Sequence, residues 1–243
     1  MSKSNIKALE LKATVGNRTM SVSPTLIWDE NDAALIDTAN PGFFPIIKGA
    51  VEELIPFDCI NYILVTHQDI DHIGCLPDFK AHFGDKLKIL SHPIEKPYIE
   101  GTLPLLKSSP AFLARMTAGL PEEAKAERAK LFANPPKAKV DITLEHGDAL
   151  PVCGGIELIL TPGHTHGHVC FYHRDSKTLI AGDALTVQEG KLFGPNEMMA
   201  EDMKRATESL KQLSGYDIAA VICHHGGLFT GDVQKALAEI LAA

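Results

Sequence analysis

Short apolar runs rich in β-branched residues alternate with turn residues along the first third of the chain, a pattern that predicts strands. Ile6–Val15 and Thr19–Trp28 read as early strands joined by a Gly16-Asn17 turn, and Asp29–Asp32 turns the chain into a third, Ala33–Asp37. Asn40-Pro41-Gly42 breaks that pattern. Phe43, Ile46, Ile47, Ala50, Val51 and Leu54 then recur at helical spacing, so Phe43–Ile55 is predicted to be an amphipathic helix. Ile60–Val65 is the most apolar short run of this region and reads as a buried strand. A short helix follows, ended by Gly84, with Pro77 placing its start a turn after Ile73; Leu87–Leu90 is another strand.

Residues 92–137 lack the strand pattern and are rich in proline. Phe112, Met116 and Leu120 recur at helical spacing and Glu122–Lys130 is a charged helical run, which together predict a helical insertion between two sheet-forming halves. Such an insertion either packs on the core or walls a pocket, with Tyr98, Phe112 and Met116 as apolar lining. Strand pattern resumes at Val140–Leu144, Ile156–Leu160, Val169–His173 and Thr178–Ala181. A helix over Met199–Leu213, a strand at Ala219–Cys223 and a helix over Val233–Leu241 follow.

Histidines and carboxylates gather where these strands end. His67, Asp69, Asp71 and His72 follow Ile60–Val65, and Thr161-Pro162-Gly163-His164-Thr165-His166-Gly167-His168 follows Ile156–Leu160. Gly182-Asp183 follows Thr178–Ala181, and His224-His225-Gly226-Gly227 follows Ala219–Cys223. Asp71 alone could be no more than the N-cap of a helix beginning near His72. Four strand ends carrying the same donor types point instead to a metal centre, because a sheet holds the origins of its loops rigid.

In this order the motifs resemble the metallo-β-lactamase superfamily, whose pattern is H-x-H-x-D-H, then T-P-G-H-T, G-D and H-G. They stand here as His67-Gln68-Asp69-Ile70-Asp71-His72, Thr161–Thr165, Gly182-Asp183 and His225-Gly226. The resemblance implies an α/β fold: a four-layer αββα sandwich of two mixed β-sheets flanked by helices, the centre lying at one edge. It also implies that His67, residue 69 and His164 surround a first metal, that Asp71, His72 and His225 surround a second, and that Asp183 bridges them. His168 matches the pattern as a residue positioning His164. His225 is preferred to His224 as the ligand because it directly precedes Gly226, and His166, His82, His92, His146 and His173 read as ordinary loop, surface or core residues.

Two divalent cations about 3.5–4 Å apart can share a hydroxide and polarise the bond that it attacks. The expected function is therefore metal-dependent hydrolysis by a metal-bridging hydroxide, with Asp71 as the catalytic residue that orients the nucleophile or passes its proton to the leaving group. Zinc is the expected metal of both positions. Asp69 stands where the family usually has histidine, and its hard oxygen admits iron or manganese. Three carboxylates, two divalent cations and one hydroxide sum to zero charge, one unit below the count with histidine at 69. If Asp69 ligates directly, Asp69→His is then expected to move the acidic limb of the pH–rate profile downward. A loosely held or missing first metal is the alternative.

Composition narrows the class. A chain of 243 residues, 45% hydrophobic and 22% charged, suits one large soluble domain over 1–243 with its insertion at about 92–137. Against 31 acidic residues it has 23 Lys and Arg, a net charge of −8 without a basic cluster, which argues against a nucleic-acid partner. Without an export signal or a long apolar span it reads as cytoplasmic, with no membrane partner. The five cysteines are dispersed and form no C-x-x-C pair, so they read as reduced, buried thiols. A homodimer is compatible with all of this.

Resemblance also sorts the subfamilies. Secreted β-lactamases of the superfamily usually have cysteine at the position of Asp183. Glyoxalase II-like enzymes continue into a helical glutathione-binding segment, whereas 18 residues follow His225 here. Acyl-homoserine lactonases have tyrosine where this chain has Thr186. The expected substrate is a small lactone, ester or thioester. A di-iron protein like the flavodiiron reductases, which carry a carboxylate at the position of Asp69, and a non-catalytic metal-binding member are the alternatives.

Overall fold

The buried strands divide their side chains between two apolar environments, and that division builds the layers. The computed structural model describes residues 4–15 and 18–242; the expected Gly16-Asn17 turn lies outside the described residues. The first half contains β1 (Asn5–Ala8), β2 (Leu11–Val15), β3 (Arg18–Val22), β4 (Thr25–Trp28) and β5 (Ala33–Ile36). It continues through α1 (Phe44–Glu52), β6 (Ile60–Leu64), α2 (Ile70–Ile73), α3 (Leu76–Phe83) and β7 (Lys88–Ser91). The middle segment carries α4 (Lys96–Ile99), α5 (Pro110–Met116) and α6 (Glu122–Ala133). The second half contains β8 (Ile142–Thr143), β9 (Ala149–Leu150), β10 (Ile156–Leu160), β11 (Val169–His173) and β12 (Thr178–Gly182). After these come β13 (Thr186–Gln188), β14 (Lys191–Phe193), α7 (Met203–Ser209), β15 (Ala220–Cys223), β16 (Gly227–Phe229) and α8 (Val233–Ala242).

One sheet has the order β1-β4-β5-β6-β7-β8 and the other β16-β15-β12-β11-β10-β9. Leu35, Ile63 and Ile89 of the first sheet pack outward with Ile47 and Val51 of α1 and Leu76 and Phe79 of α3. Ile36, Leu64 and Leu90 point the other way, onto Ile156, Leu158, Phe171 and Ile180 of the second sheet. On the far side, Ile159, Leu179 and Val221 meet Leu210, Leu213 and, from α8, Val233 and Leu237. The result is the four-layer αββα sandwich. Each wholly buried leucine, isoleucine or phenylalanine contributes roughly 1.5–3 kcal/mol relative to exposure, which makes the paired sheets a rigid base for the loops at their ends.

Several boundaries differ from the sequence expectation. Ile6–Val15 and Thr19–Trp28 are each two strands: β1 pairs with β4, while β2 and β3 pair with one another. The break falls where Leu9 N–H donates to the Pro24 carbonyl (2.8 Å), a residue that has no N–H to return. The Val140–Leu144 strand joins the first half: β8 runs parallel to β7 at the edge of the first sheet. Pro77 lies in the first turn of α3, where its missing N–H costs nothing. The Met199–Leu213 helix starts only at Met203, capped by Asp202 accepting from Arg205 N–H (2.9 Å), and tightens into a 3-10 turn over Leu210–Gly215. Cys75, Cys153, Cys170 and Cys223 are buried, but Cys59 is exposed. No helix among the described residues is long and apolar enough to cross a membrane.

Candidate metal centre

The loop after β6 is held by a residue that the sequence pattern assigns only to the end of a strand. Asp37 follows β5 with φ +63°, in the left-handed region that aspartate tolerates. Its buried carboxylate accepts from Thr66 N–H (2.9 Å), Thr66 Oγ1 (2.8 Å) and His72 Nδ1 (2.7 Å). Because the Thr66 hydroxyl gives its proton to Asp37, its oxygen can accept from His67 Nδ1, 3.0 Å away. Both imidazoles are thereby oriented through Nδ1, and Nε2 of each is left free to bind a cation. The loop after β10 is tight for a different reason. Gly163 has φ +136°, and a Cβ there would lie 2.1 Å from the backbone N of Ala206.

Seven expected residues converge at this edge of the sandwich. Ligand atoms of His67, Asp69, His164 and Asp183 lie within 4.8 Å of one another, and so do those of Asp71, His72 and His225. Asp183 faces both groups. Its Oδ2 is 4.0 Å from His67 Nε2 and 3.4 Å from His164 Nε2, while its Oδ1 is 3.3 Å from His72 Nε2 and 3.5 Å from His225 Nε2. His225 Nε2 also lies 3.3 Å from Asp71 Oδ2. His67 Nε2, His72 Nε2 and Asp183 Oδ1 are buried without hydrogen-bond partners. Orphaned buried donors and acceptors are rare, and His72 Nε2 and Asp183 Oδ1, 3.3 Å apart beside His225 and Asp71, fit a cation, while His67 Nε2 faces the neighbouring group.

The charges divide the imidazoles, and the carboxylates favour positive charge beside His72 and His225. Burial, with His72 alongside, pushes His67 down to about 4, so it is a neutral imidazole able to ligate at neutral pH. Asp183 pulls His225 up to about 10. Burial opposes a charge on His72, yet Asp37 and Asp183 hold it well above its ordinary value. Asp183 itself lies well below the carboxylate range because His225 and His72 outweigh its burial.

Other expected roles change. Asp69, not Asp71, stands at the N-cap position of α2, and no side-chain bond caps the helix there. His168 Nε2 accepts from the backbone N–H of Asp183 (3.1 Å), so it positions Asp183 rather than His164. His224 Nε2 meets the Asp71 carbonyl (3.0 Å) and its ring lies tilted against His72 with centroids 3.9 Å apart. His166 is exposed. A cavity of about 300 Å³ opens beside the centre, lined by Phe112, Met116, Leu131 and Phe132 from the middle segment and by Asp71 and His225. Tyr98, expected in that lining, packs instead against the core beneath the first sheet.

Two buried charged residues of the middle segment gave no signal in the sequence, since nothing in their neighbourhood repeats or matches a motif. Lys107 is 3% exposed and its ammonium contacts Asp69 Oδ2 and His164 Nε2. Glu95 is wholly buried and ties the two ligand loops together. Its Oε2 accepts from Gln68 N–H (2.9 Å) and Gln68 Nε2 (3.1 Å), its Oε1 from Thr165 Oγ1 (2.8 Å) and Gly167 N–H (2.8 Å). Burial raises its carboxyl above the ordinary range, against these four bonds. Glu95→Gln would set an amide NH₂ against two donors, at a cost of about 2–3 kcal/mol. Differential scanning calorimetry should show Tm lowered by roughly 4–12 °C; an unchanged Tm would mean that Glu95 does not hold the loops.

The order of these residues along the chain is that of a known family, whose sequence profile, described as the Metallo-beta-lactamase superfamily, matches residues 18–225. The chain belongs to this superfamily. It is similar to the probable metallo-hydrolase YflN of Bacillus subtilis (strain 168), at 30% identity over 189 residues, 71% of this chain and 66% of that protein. It is also similar to hydroxyacylglutathione hydrolase GloC of Haemophilus influenzae, at 28% identity over 226 residues, 87% of this chain and 88% of that one. The chain spans just under two thirds of the length of the first curated relatives it matches, 66% and 62%. The crystal structure of metallo-beta-lactamase family protein TTHA1429 from Thermus thermophilus superposes with a TM-score of 0.69 at 26% identity, over 98% of this chain and 78% of that chain. Within the metallo-β-lactamase fold, the candidate metal centre lies at the edge of the sandwich.

Proposed function

We propose that the protein is a metal-dependent hydrolase of a small thioester, ester or lactone. The observation that carries this reading is the pair of orphaned His72 Nε2 and Asp183 Oδ1 atoms, 3.3 Å apart and grouped with Asp71 and His225 beside a cavity of about 300 Å³. A divalent cation bound there brings the pKa of a water toward neutrality and polarises a carbonyl oxygen. Zinc suits the mixed histidine and carboxylate donors, and the oxygen of Asp69 admits iron or manganese.

The chain's own residues do the remainder. Phe112, Met116, Leu131 and Phe132 take the apolar part of the acyl group and exclude water from it. Asp71 lines the same cavity, and its carboxyl is kept below the ordinary range by His225 against the effect of burial. It is therefore an acceptor at neutral pH, orienting the attacking water and handing its proton to the leaving oxygen or sulfur. The likeness to a hydroxyacylglutathione hydrolase over 88% of that protein's length favours a thioester among the three classes. Five free cysteines favour a reducing compartment, the cytoplasm.

Purified protein assayed against an acyl thioester, an aryl ester and a γ-lactone is expected to hydrolyse at least the thioester. Activity should be lost on incubation with a chelator and return with zinc. Turnover that survives chelation, or no turnover of any of the three, would overturn the reading.

A further inference from the structure

The two ligand groups are not equivalent, because one of them already contains a cation. Lys107 lies in a 3-10 turn at Leu106–Ser108 whose Leu106 N–H donates to Gln68 Oε1 (2.8 Å), and Gln68 is in turn held by Glu95. That chain of bonds fixes the turn against the loop carrying His67 and Asp69. The ammonium of Lys107 then reaches Asp69 Oδ2 and lies 2.6 Å from His164 Nε2. These are the atoms through which Asp69 and His164 would bind a metal. An ion held by Asp69 and His164 would need the same two atoms that the ammonium already engages.

His164 differs from the other histidines in the matching detail. His67 and His72 are anchored through Nδ1 and present a free Nε2, whereas His164 Nδ1 is buried without a partner and its Nε2 is engaged by Lys107. Asp69 fits the same arrangement, since a buried ammonium needs a carboxylate beside it and a neutral imidazole offers no charge. Around Asp71, His72 and His225, no lysine or arginine among the described residues forms an ion pair.

We propose that Lys107 supplies the positive charge at the first position and that the protein holds one divalent cation, at Asp71, His72, His225 and Asp183. This rests on the metal-dependent reading above and refines it from two ions to one ion and one fixed ammonium. Lys107 is a positioning residue here: it occupies Asp69 and His164 and confines the metal to the other side of Asp183.

The test is metal stoichiometry, read without reference to turnover. Metal-stripped protein titrated calorimetrically with zinc, then desalted for elemental analysis, should bind one equivalent. Anomalous diffraction at the zinc edge should place that ion beside His72 and His225. Two equivalents, or an ion between Asp69 and His164, would overturn the proposal but leave the hydrolase reading standing; no binding at all would overturn both. Lys107→Met should raise the count to two. Because that variant leaves Asp69 buried without its partner and could unfold, the double variant Lys107→Met/Asp69→His removes both charges together and should also bind two. A count of one in a folded variant of either kind would show that Lys107 is not what excludes the second ion, and the proposal would fall.

Discussion

Asp183→Asn should strip the protein of its metal and lower kcat/KM by on the order of 10³-fold, equivalent to about 4 kcal/mol of lost transition-state stabilisation. Asp183 is the one carboxylate among the described residues approached by four imidazoles, two on each oxygen. Asparagine keeps the shape but removes the charge and turns an N–H toward two of those nitrogens. The loss is therefore electrostatic, not steric, and it strikes any ion that the centre holds. Elemental analysis of the purified variant checks the first part, and initial rates on a thioester at saturating zinc check the second. A variant that retains a full equivalent of metal and more than a tenth of the activity would remove Asp183 from the centre.

Asp37→Ala should have the largest effect on stability. It leaves the His72 ring and both Thr66 donors without their buried acceptor. Breaking one half of such a buried pair costs about 3–5 kcal/mol, which for a chain of this size lowers Tm by roughly 10 °C. Metal affinity should fall about 10–100-fold as well, because His72 loses the bond that aims its Nε2. Asp37→Asn separates the two roles: asparagine tolerates φ +63° and can still accept from Thr66, so it should recover part of the Tm while the affinity stays low. The pH dependence has a definite sign. Burial alone would raise the Asp37 carboxyl, but His72 holds it below its ordinary value of 3.8. A depressed carboxylate stabilises the fold above that ordinary value and loses the contribution as pH falls through the lowered one. The Tm gap between wild type and Asp37→Ala is thus expected to persist above about pH 4 and to narrow below it. A gap that widens in acid would contradict the assignment.

Lys107 beside Asp69 changes what Asp69→His does to the pH–rate profile. With the ammonium in contact with Asp69, that single substitution first leaves a buried cation unpaired, and lost stability should mask any change in the profile. The double variant with Lys107→Met is the one in which the electrostatic effect can be read.

Which chemical groups stand at which strand ends is written in the local pattern of the chain. His67, Asp69, Asp71 and His72 are neighbours on the chain, as are Gly182 and Asp183, so their placement beyond a buried apolar run follows from local pattern alone. The layered α/β character was legible for the same reason, although the four-layer arrangement came from the family resemblance. Which residues hold those groups in place, and what charge surrounds them, follows from long-range packing. Asp37 lies 35 residues from His72, Lys107 lies 38 from Asp69, and Glu95 lies 72 from Gly167. A carboxylate that reads locally as a strand end and a lysine without any sequence signal are buried beside their partners only because two sheets and a proline-rich insertion fold back upon one edge. Sequence spacing carries no record of that approach, for it depends on how three separate apolar cores pack.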